Sequence, residues 1–279
     1  MAYLTNLVQR KRSVPSSRPS TRAWEIIRMW RDAHCSVSDS SVDMAYLLRV
    51  IFYRWSYLDN EPLPFDVVAG FMRVGQKYAI KPFFDKALAR LATAFSSSLD
   101  AYTSSVMKNS LLSTDRIKTQ RAEIVVDAII LARELNLCSL LPTAFWFACV
   151  TPEPLMHKNT GSIADVDRDA IPGAMKPLRV APANYLFGWL DETVVPALDC
   201  KGPSCHDAKL QYSLQLWRPP GSNILLSWPS SAAKGLCKSC IALGKKHHGE
   251  GAKRLWKELP LFFNLPPWEE LVPPSCAKQ

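Results

Sequence analysis

Apolar residues recur at helical spacing through most of the chain after residue 40, and two of these runs lie so close together that they must pair. Between Phe65 and Phe95, the residues Phe65, Val68, Phe71, Met72 and Gly75 fall on one face of a first helix. Phe84, Ala87, Leu88, Leu91 and Phe95 fall on one face of a second. Pro64 and Pro82 stand where a helix begins and a missing N–H is no loss, and the few residues around Tyr78 to Lys81 predict an antiparallel hairpin. Upstream, Ser40 and Asp43 have capping-box spacing, and Met44, Leu47, Leu48, Ile51 and Trp55 repeat as a helix expected to pack on the hairpin. Downstream, a short helical piece is expected around Leu99 to Met107. A stronger helix follows, with Ile124, Val125, Ala128, Ala132 and Leu135 on one face and its end near Asn136. Ser139 can cap another, with Pro142 in its first turn and Phe145, Trp146 and Cys149 supplying bulk.

The second half has a different texture. Most of the 21 prolines lie after residue 150, which predicts short helices separated by irregular connections. Thr151 to Gly161 is a loop by composition and a domain boundary. A short acidic helix is expected within Ile163 to Met175, and another over Asn184 to Leu198 with Leu186, Trp189, Leu190 and Val194 inward. Asp207 to Trp217 is a further helix candidate, and Pro219 to Ser231 reads as loop. A long basic helix is expected from Leu236 to about Leu259, with Ile241, Ala252, Leu255, Trp256 and Leu259 inward. The tail bearing Phe262, Phe263, Leu265, Trp268 and Leu271 should fold back on the core, because leaving that apolar surface in water would cost several kcal/mol. Strand signals are scarce, so the fold class is mainly α. Three parts are expected: a flexible basic tail over 1–40, a helical region over 41–150, and a cysteine-containing helical C-terminal region over 151–279.

Charge refines this picture without redirecting it. The net charge of +9 sits at two places: residues 1–31 carry seven Lys/Arg against one Glu, and residues 234–258 carry seven against two. The remainder is slightly acidic, which argues against a broad basic face for nucleic acid. The Ser/Pro/Arg stretch after Arg10-Lys11-Arg12 cannot bury enough apolar surface to order itself. A nuclear-import cluster, an organelle presequence and a contact with an anionic surface are alternative readings of that tail. Trp24 to Trp30 can form a helical turn or two. No run of about 20 apolar residues suggests a membrane span and no secretory signal is expected, so the compartment expected is cytosol or nucleus.

Catalytic motifs with the required spacing are not found: the chain has no G-x-G-x-x-G, P-loop, G-x-S-x-G or H-E-x-x-H pattern, and no enzyme activity is expected. The chemistry that does stand out is sulfur. Of eight cysteines, Cys237 and Cys240 form C-x-x-C at the start of a helix, and Cys200 and Cys205 form a second pair across a turn containing Gly and Pro. Both spacings lie within the range of zinc-binding turns, so the four thiolates are expected to hold one structural zinc ion. Lys201, Lys209, Lys234, Lys238 and Lys245 lie near in sequence to offset the charge. His206 can replace one ligand, whereas His247 and His248 are expected in solvent. A disulfide between close cysteines and a set of unconnected surface thiols are the other arrangements open to these residues. Cys138 and Cys149 read as small buried hydrophobes.

The pattern F-D-V-V…R-V-G-Q-K-Y-A-I-K-P-F…A-L-A-R-L…F resembles the C-terminal half of a BTB/POZ domain, in the form found in a family of mushroom-forming fungi. MAYLLRVIFY resembles the helix that precedes this hairpin, and the likeness continues through RAEIVVDAIILARELNLCSLLPTAFWFACV and the segment from Leu236 to Leu271, including the C-x-x-C positions. The resemblance implies a partial BTB helical hairpin with a following helical extension. It also implies an intracellular adaptor that binds other proteins, of the kind that join substrates to a cullin ligase or act in transcriptional complexes. The strand-rich first half of such a domain has no counterpart ahead of Met44. Either this member lacks it or the coding sequence is truncated there, and dimerisation by the usual BTB route is not expected. The competing expectation is a zinc-stabilised nucleic-acid-binding protein that uses the basic helix after Cys240.

Overall fold

A computed structural model describes residues 40–53, 61–109, 116–118, 121–150, 163–191, 193–216 and 228–271. The chain divides into two units, Met1–Ser40 and Ser41–Gln279, and every element below belongs to the second. Apart from Ser40, the expected tail lies outside the described residues, as do Trp55 and the loop from Thr151 to Gly161. Helices α1 (Ser41–Tyr53), α2 (Phe65–Lys77), α3 (Lys81–Ala94), α4 (Leu99–Asn109), α5 (Arg121–Glu134) and α6 (Leu141–Val150) lead into α7 (Asp165–Tyr185), α8 (Cys205–Leu216), α9 (Lys238–Glu258) and α10 (Trp268–Leu271). The fold is mainly α. Among the described residues there is no strand, and one isolated parallel bridge joins Leu63 to Ile117. No described helix is long and apolar enough to cross a membrane.

The expected hairpin is α2–α3. Its turn places Ala79 in the left-handed region, and the Ile80 N–H reaches back to the Gly75 carbonyl at 2.8 Å. The same closure recurs at Asn136, with Leu137 N–H to Ala132 O at 2.7 Å, and at Asn264, with Leu265 N–H to Pro260 O at 3.1 Å. In each case a left-handed residue lets the next amide satisfy an orphan carbonyl. The buried face of α3 is turned from the one expected: Phe83, Ala87, Arg90, Leu91 and Ala94 are inside, and Phe84 and Leu88 are half-buried. Two contacts account for the turn. Phe83 stacks on Phe71 at 5.7 Å, and Arg90 is drawn inward because its guanidinium donates to the carbonyls of Glu61 (2.8 Å) and Arg116 (3.1 Å). On α1, Leu47 is buried and Met44 partly so, but Leu48 and Ile51 are exposed, so the face that packs on the hairpin is narrower than the periodicity suggests. Asp43 is buried beside it, 3.6 Å from Arg73.

Helices α5 and α6 form the centre. Ile124, Val125, Ala128, Ala132 and Leu135 are buried as expected, but so are Val126, Ile129 and Leu131, and α6 is buried from Leu141 through Ala148. Helix α5 thus buries more than the one face its periodicity marks, and α6, covered along nearly its whole length, carries no amphipathic signal. The core around them takes residues from Leu47 to Leu271.

Helix α7 departs from expectation. A short helix within Ile163 to Met175 and a second over Asn184 to Leu198 are replaced by one helix of 21 residues containing Pro172, Pro177 and Pro182, followed by a 3-10 turn at Gly188–Leu190 and irregular chain. An interior proline ordinarily costs roughly 3 kcal/mol by removing a donor and crowding the preceding turn. Here Pro172 and Pro177 lie on the exposed side of the helix, where water stands in for the lost pairing, while Pro182 is buried near the C-terminal end. The opposite face, with Ala170, Ile171, Ala174, Leu178 and Ala181, is continuous and buried. Leu186 and Trp189 are still buried, though outside a helix, while Leu190 and Val194 are half-buried. Asp167, only 1% exposed, anchors α7 to α5 through a two-pronged pair with Arg133 at 2.8 and 2.5 Å. Arg133→Ala should therefore cost about 3–5 kcal/mol in a urea titration by stranding a buried carboxylate. Asp167→Ala should cost less, because the guanidinium it leaves behind is 35% exposed.

The C-terminal tail folds back as expected. Leu259, Phe263, Leu265 and Leu271 are buried, and Trp268 stacks on Trp256 at 5.5 Å while donating its indole N–H to the Trp256 carbonyl at 2.7 Å.

Candidate metal centre

Beyond α7 the chain builds a second, smaller core from Trp189, Val195, Cys205, Tyr212, Ala232 and Cys240. The four cysteines singled out by spacing converge at its edge. The chain between Asp191 and Ser204 turns at Ala197, whose carbonyl accepts the Cys200 N–H at 2.9 Å, and so presents Cys200. Cys205 opens α8, Cys237 is the residue before α9, and Cys240 lies in the first turn of α9. Their sulfurs all lie within 4.8 Å of one another, and Cys200 Sγ is 3.8 Å from Cys237 Sγ. Cys205 and Cys240 are buried, while Cys200 and Cys237 are partly exposed. Four sulfur ligands brought to a common point from separate segments can hold one metal ion.

Backbone geometry supports the sulfurs. The Cys237 N–H donates to Cys205 Sγ at 3.1 Å and the Ala197 N–H donates to Cys240 Sγ at 3.4 Å. Residue 202 must be glycine for the turn to close, since a Cβ there would lie 2.7 Å from Cys205 Sγ and 3.1 Å from Cys237 Cβ. The Ser239 hydroxyl donates to Asp199 at 2.8 Å and ties the start of α9 to the Cys200 turn.

The thiols differ in acidity for identifiable reasons. The Cys240 N–H at the start of α9 draws the Cys237 pKa down to about 6, whereas burial pushes Cys240 up to about 12 and also raises Cys205. A metal must therefore displace protons from the buried pair, and acid competes with it. Of the lysines expected to offset the thiolate charge, Lys201, Lys234, Lys238 and Lys245 are exposed. Lys209 is buried one turn into α8 and donates to the Val195 carbonyl at 2.8 Å.

His206 is exposed and outside the sulfur cluster. Cys138 and Cys149 also stand apart; both are half-buried against the main core, and burial pushes Cys149 up to about 12. Expecting His248 in solvent is wrong: it is 4% exposed, set edge-on to Trp228 at 5.8 Å. Trp228 lies 4.6 Å from Trp189, which packs on Tyr212, and this aromatic wall stands behind the cysteines. On α9, Ala252, Leu255 and Trp256 are buried as expected and Ile241 is half-buried, but the rest of the buried face, Cys240, Gly244, His248 and Gly251, is made of small or polar residues that hydropathy alone does not reveal.

Burial lowers the His248 pKa below its usual 6.5, so the unfolded chain takes up this proton first. The stabilisation from a neutral His248 is complete above pH 6.5 and is lost as pH falls through the lowered value. His248→Gln should therefore show a smaller loss of stability on acidification from about pH 7 to pH 5 than the wild-type chain, measured by urea titration at each pH.

Comparison of the chain with protein-family models, curated proteins and solved structures finds no match in any of the three.

Proposed function

We infer that Cys200, Cys205, Cys237 and Cys240 hold one structural zinc ion and that the chain serves as a protein-interaction module of BTB type. The observation that carries the metal reading is the sulfur geometry. Zinc–thiolate bonds of about 2.3 Å at tetrahedral angles require sulfur–sulfur edges of about 3.8 Å. The Cys200–Cys237 separation is 3.8 Å, and all four sulfurs fall within 4.8 Å of one another. An all-thiolate set suits zinc among divalent ions, and four protein ligands leave no open position for substrate. The ion would join the Cys200 turn and the start of α8 to the start of α9. Reduced thiols of this kind fit a cytosolic or nuclear protein.

The interaction reading is supported by α1, where Val42, Leu48, Ile51 and Phe52 are large, apolar and exposed. A partner of that face, whether a cullin-ligase component or a transcriptional protein, would cover it. The second reading, nucleic-acid binding, is favoured by the exposed lysines of α9, Lys245, Lys246, Lys253 and Lys257.

Elemental analysis of chain purified without added metal tests the centre: about one zinc per chain is expected, and its absence with all four thiols titratable under native conditions would end the zinc reading. Leu48→Glu with Ile51→Glu should abolish the retention of co-purifying proteins if α1 is the binding face. Steeply salt-dependent binding to DNA or RNA, with no protein retained, would favour the second reading.

A further inference from the structure

The geometry points to Cys200 and Cys237 as an oxidisable pair within the centre, which closes to a disulfide on meeting hydrogen peroxide and so releases the metal. This inference rests on the zinc reading for the release step. The four sulfurs are not equivalent. Cys205 and Cys240 are 1% and 0% exposed, and each accepts a backbone N–H, from Cys237 and Ala197 respectively. Cys200 and Cys237 are partly exposed, and their sulfurs are 3.8 Å apart, within reach of a bond after modest side-chain rotation. They also come from different segments, one on the turn before α8 and one at the start of α9. An oxidant from solvent therefore meets this pair first, and the sulfur it modifies has a neighbour in position to resolve it.

The chemistry balances in two steps. One thiolate of the pair attacks a peroxide oxygen, the O–O bond breaks, and a sulfenic acid and hydroxide form. The second thiolate attacks that sulfur, the S–O bond breaks, a second hydroxide leaves, and the disulfide is complete. Two sulfurs are oxidised and one peroxide is reduced to two hydroxides. Cys205 and Cys240 alone do not make up a zinc coordination shell, so the ion departs into solvent. The new bond joins the same turn to the start of α9 that the metal joined. The link to Cys205, and through it to the start of α8, is lost. Oxidation thus changes which segments are tied together, and reduction restores the four-ligand set.

The test uses the full zinc-loaded chain treated with hydrogen peroxide. Released zinc is followed with a chromogenic chelator, and disulfides are mapped by differential alkylation and mass spectrometry. One zinc released per Cys200–Cys237 disulfide is expected, with Cys205 and Cys240 recovered as thiols. The rate of zinc loss should rise at least about tenfold, the lower end of what losing even a supporting contact costs a metal site. Thiol reductant should restore zinc binding. A different dominant pairing, zinc loss while Cys200 and Cys237 stay reduced, or retention of zinc under peroxide would each overturn the proposal. If the purified chain proves to hold no zinc, the metal reading fails on its own. The same mapping on metal-free chain then decides the pair: a Cys200–Cys237 disulfide upholds it and any other pairing ends it.

Discussion

Cys240→Ser is expected to abolish zinc binding and to loosen the part of the chain between α7 and α9, whereas Cys149→Ser should leave zinc content unchanged. Cys240 is fully buried in a small core that contains five other buried apolar side chains, among them Trp189, Val195 and Tyr212. A core of that size supplies little stability without a crosslink or a metal. Binding that is confined to the folded form stabilises it by about 4 kcal/mol when free metal exceeds its dissociation constant a thousandfold, and chelation removes that contribution. A shift of this size is readily seen in a urea titration. Because Trp189 and Trp228 lie 4.6 Å apart beside the centre, their fluorescence should change with metal loss. Cys149 provides the control: it is a partly buried thiol 3.5 Å from the Ile171 carbonyl, on a different core. Equal zinc content in the wild type and Cys240→Ser would remove this cysteine from the ligand set. Unchanged stability after chelation would mean that the ion carries no structural role.

Gly251→Ala should destabilise the fold by about 3 kcal/mol or more, against the ordinary preference of helices. In the interior of an exposed helix the same change gains about 1 kcal/mol. Gly251 lies where α9 crosses the end of α7, and a Cβ there would collide with the Tyr185 carbonyl oxygen and lie 2.7 Å from the Tyr185 carbonyl carbon. Those are backbone atoms, which no rotamer change can move aside. Tyr185 itself is held at the crossing, with its hydroxyl bonded to Glu258 and the Arg254 guanidinium 5.4 Å over its ring. Gly173 in α7 supplies the contrast, since a Cβ at that position meets nothing within 4 Å. Gly173→Ala is expected to be neutral or stabilising by about 0.5–1 kcal/mol. Thermal and urea denaturation of the two variants checks both signs. Equal effects would mean that the close approach at α7–α9 does not limit packing.

Helix content and the α2–α3 hairpin were legible because they rest on local physics: 3.6-residue apolar spacing, prolines where a helix begins, and connections too short to separate the two helices. The four cysteines were legible for a related reason, since two short spacings each bring two sulfurs together within a turn. Bringing the pairs together across more than 30 residues was the step that only tertiary structure could take, through the Ala197 turn, the Gly202 close approach and the seating of α8 against the start of α9. The rotation of α3 toward Phe83 and Arg90 came from a ring in α2 and from carbonyls at Glu61 and Arg116, partners invisible to a single helix's periodicity. Pro172 and Pro177 mislead because the cost of a proline depends on which side of the helix it occupies, and that is settled by what packs on the other side. His248 was misjudged for the same reason: a histidine between lysines and glycines looks solvated until Trp228 closes over it. The sequence by itself determined the mainly helical character, the hairpin and the candidate ligands, all set by interactions within a few residues, but not the extent of α7. The tertiary structure alone decided which faces are buried and whether the sulfurs meet, because those depend on the desolvation and steric fit of segments far apart in the chain.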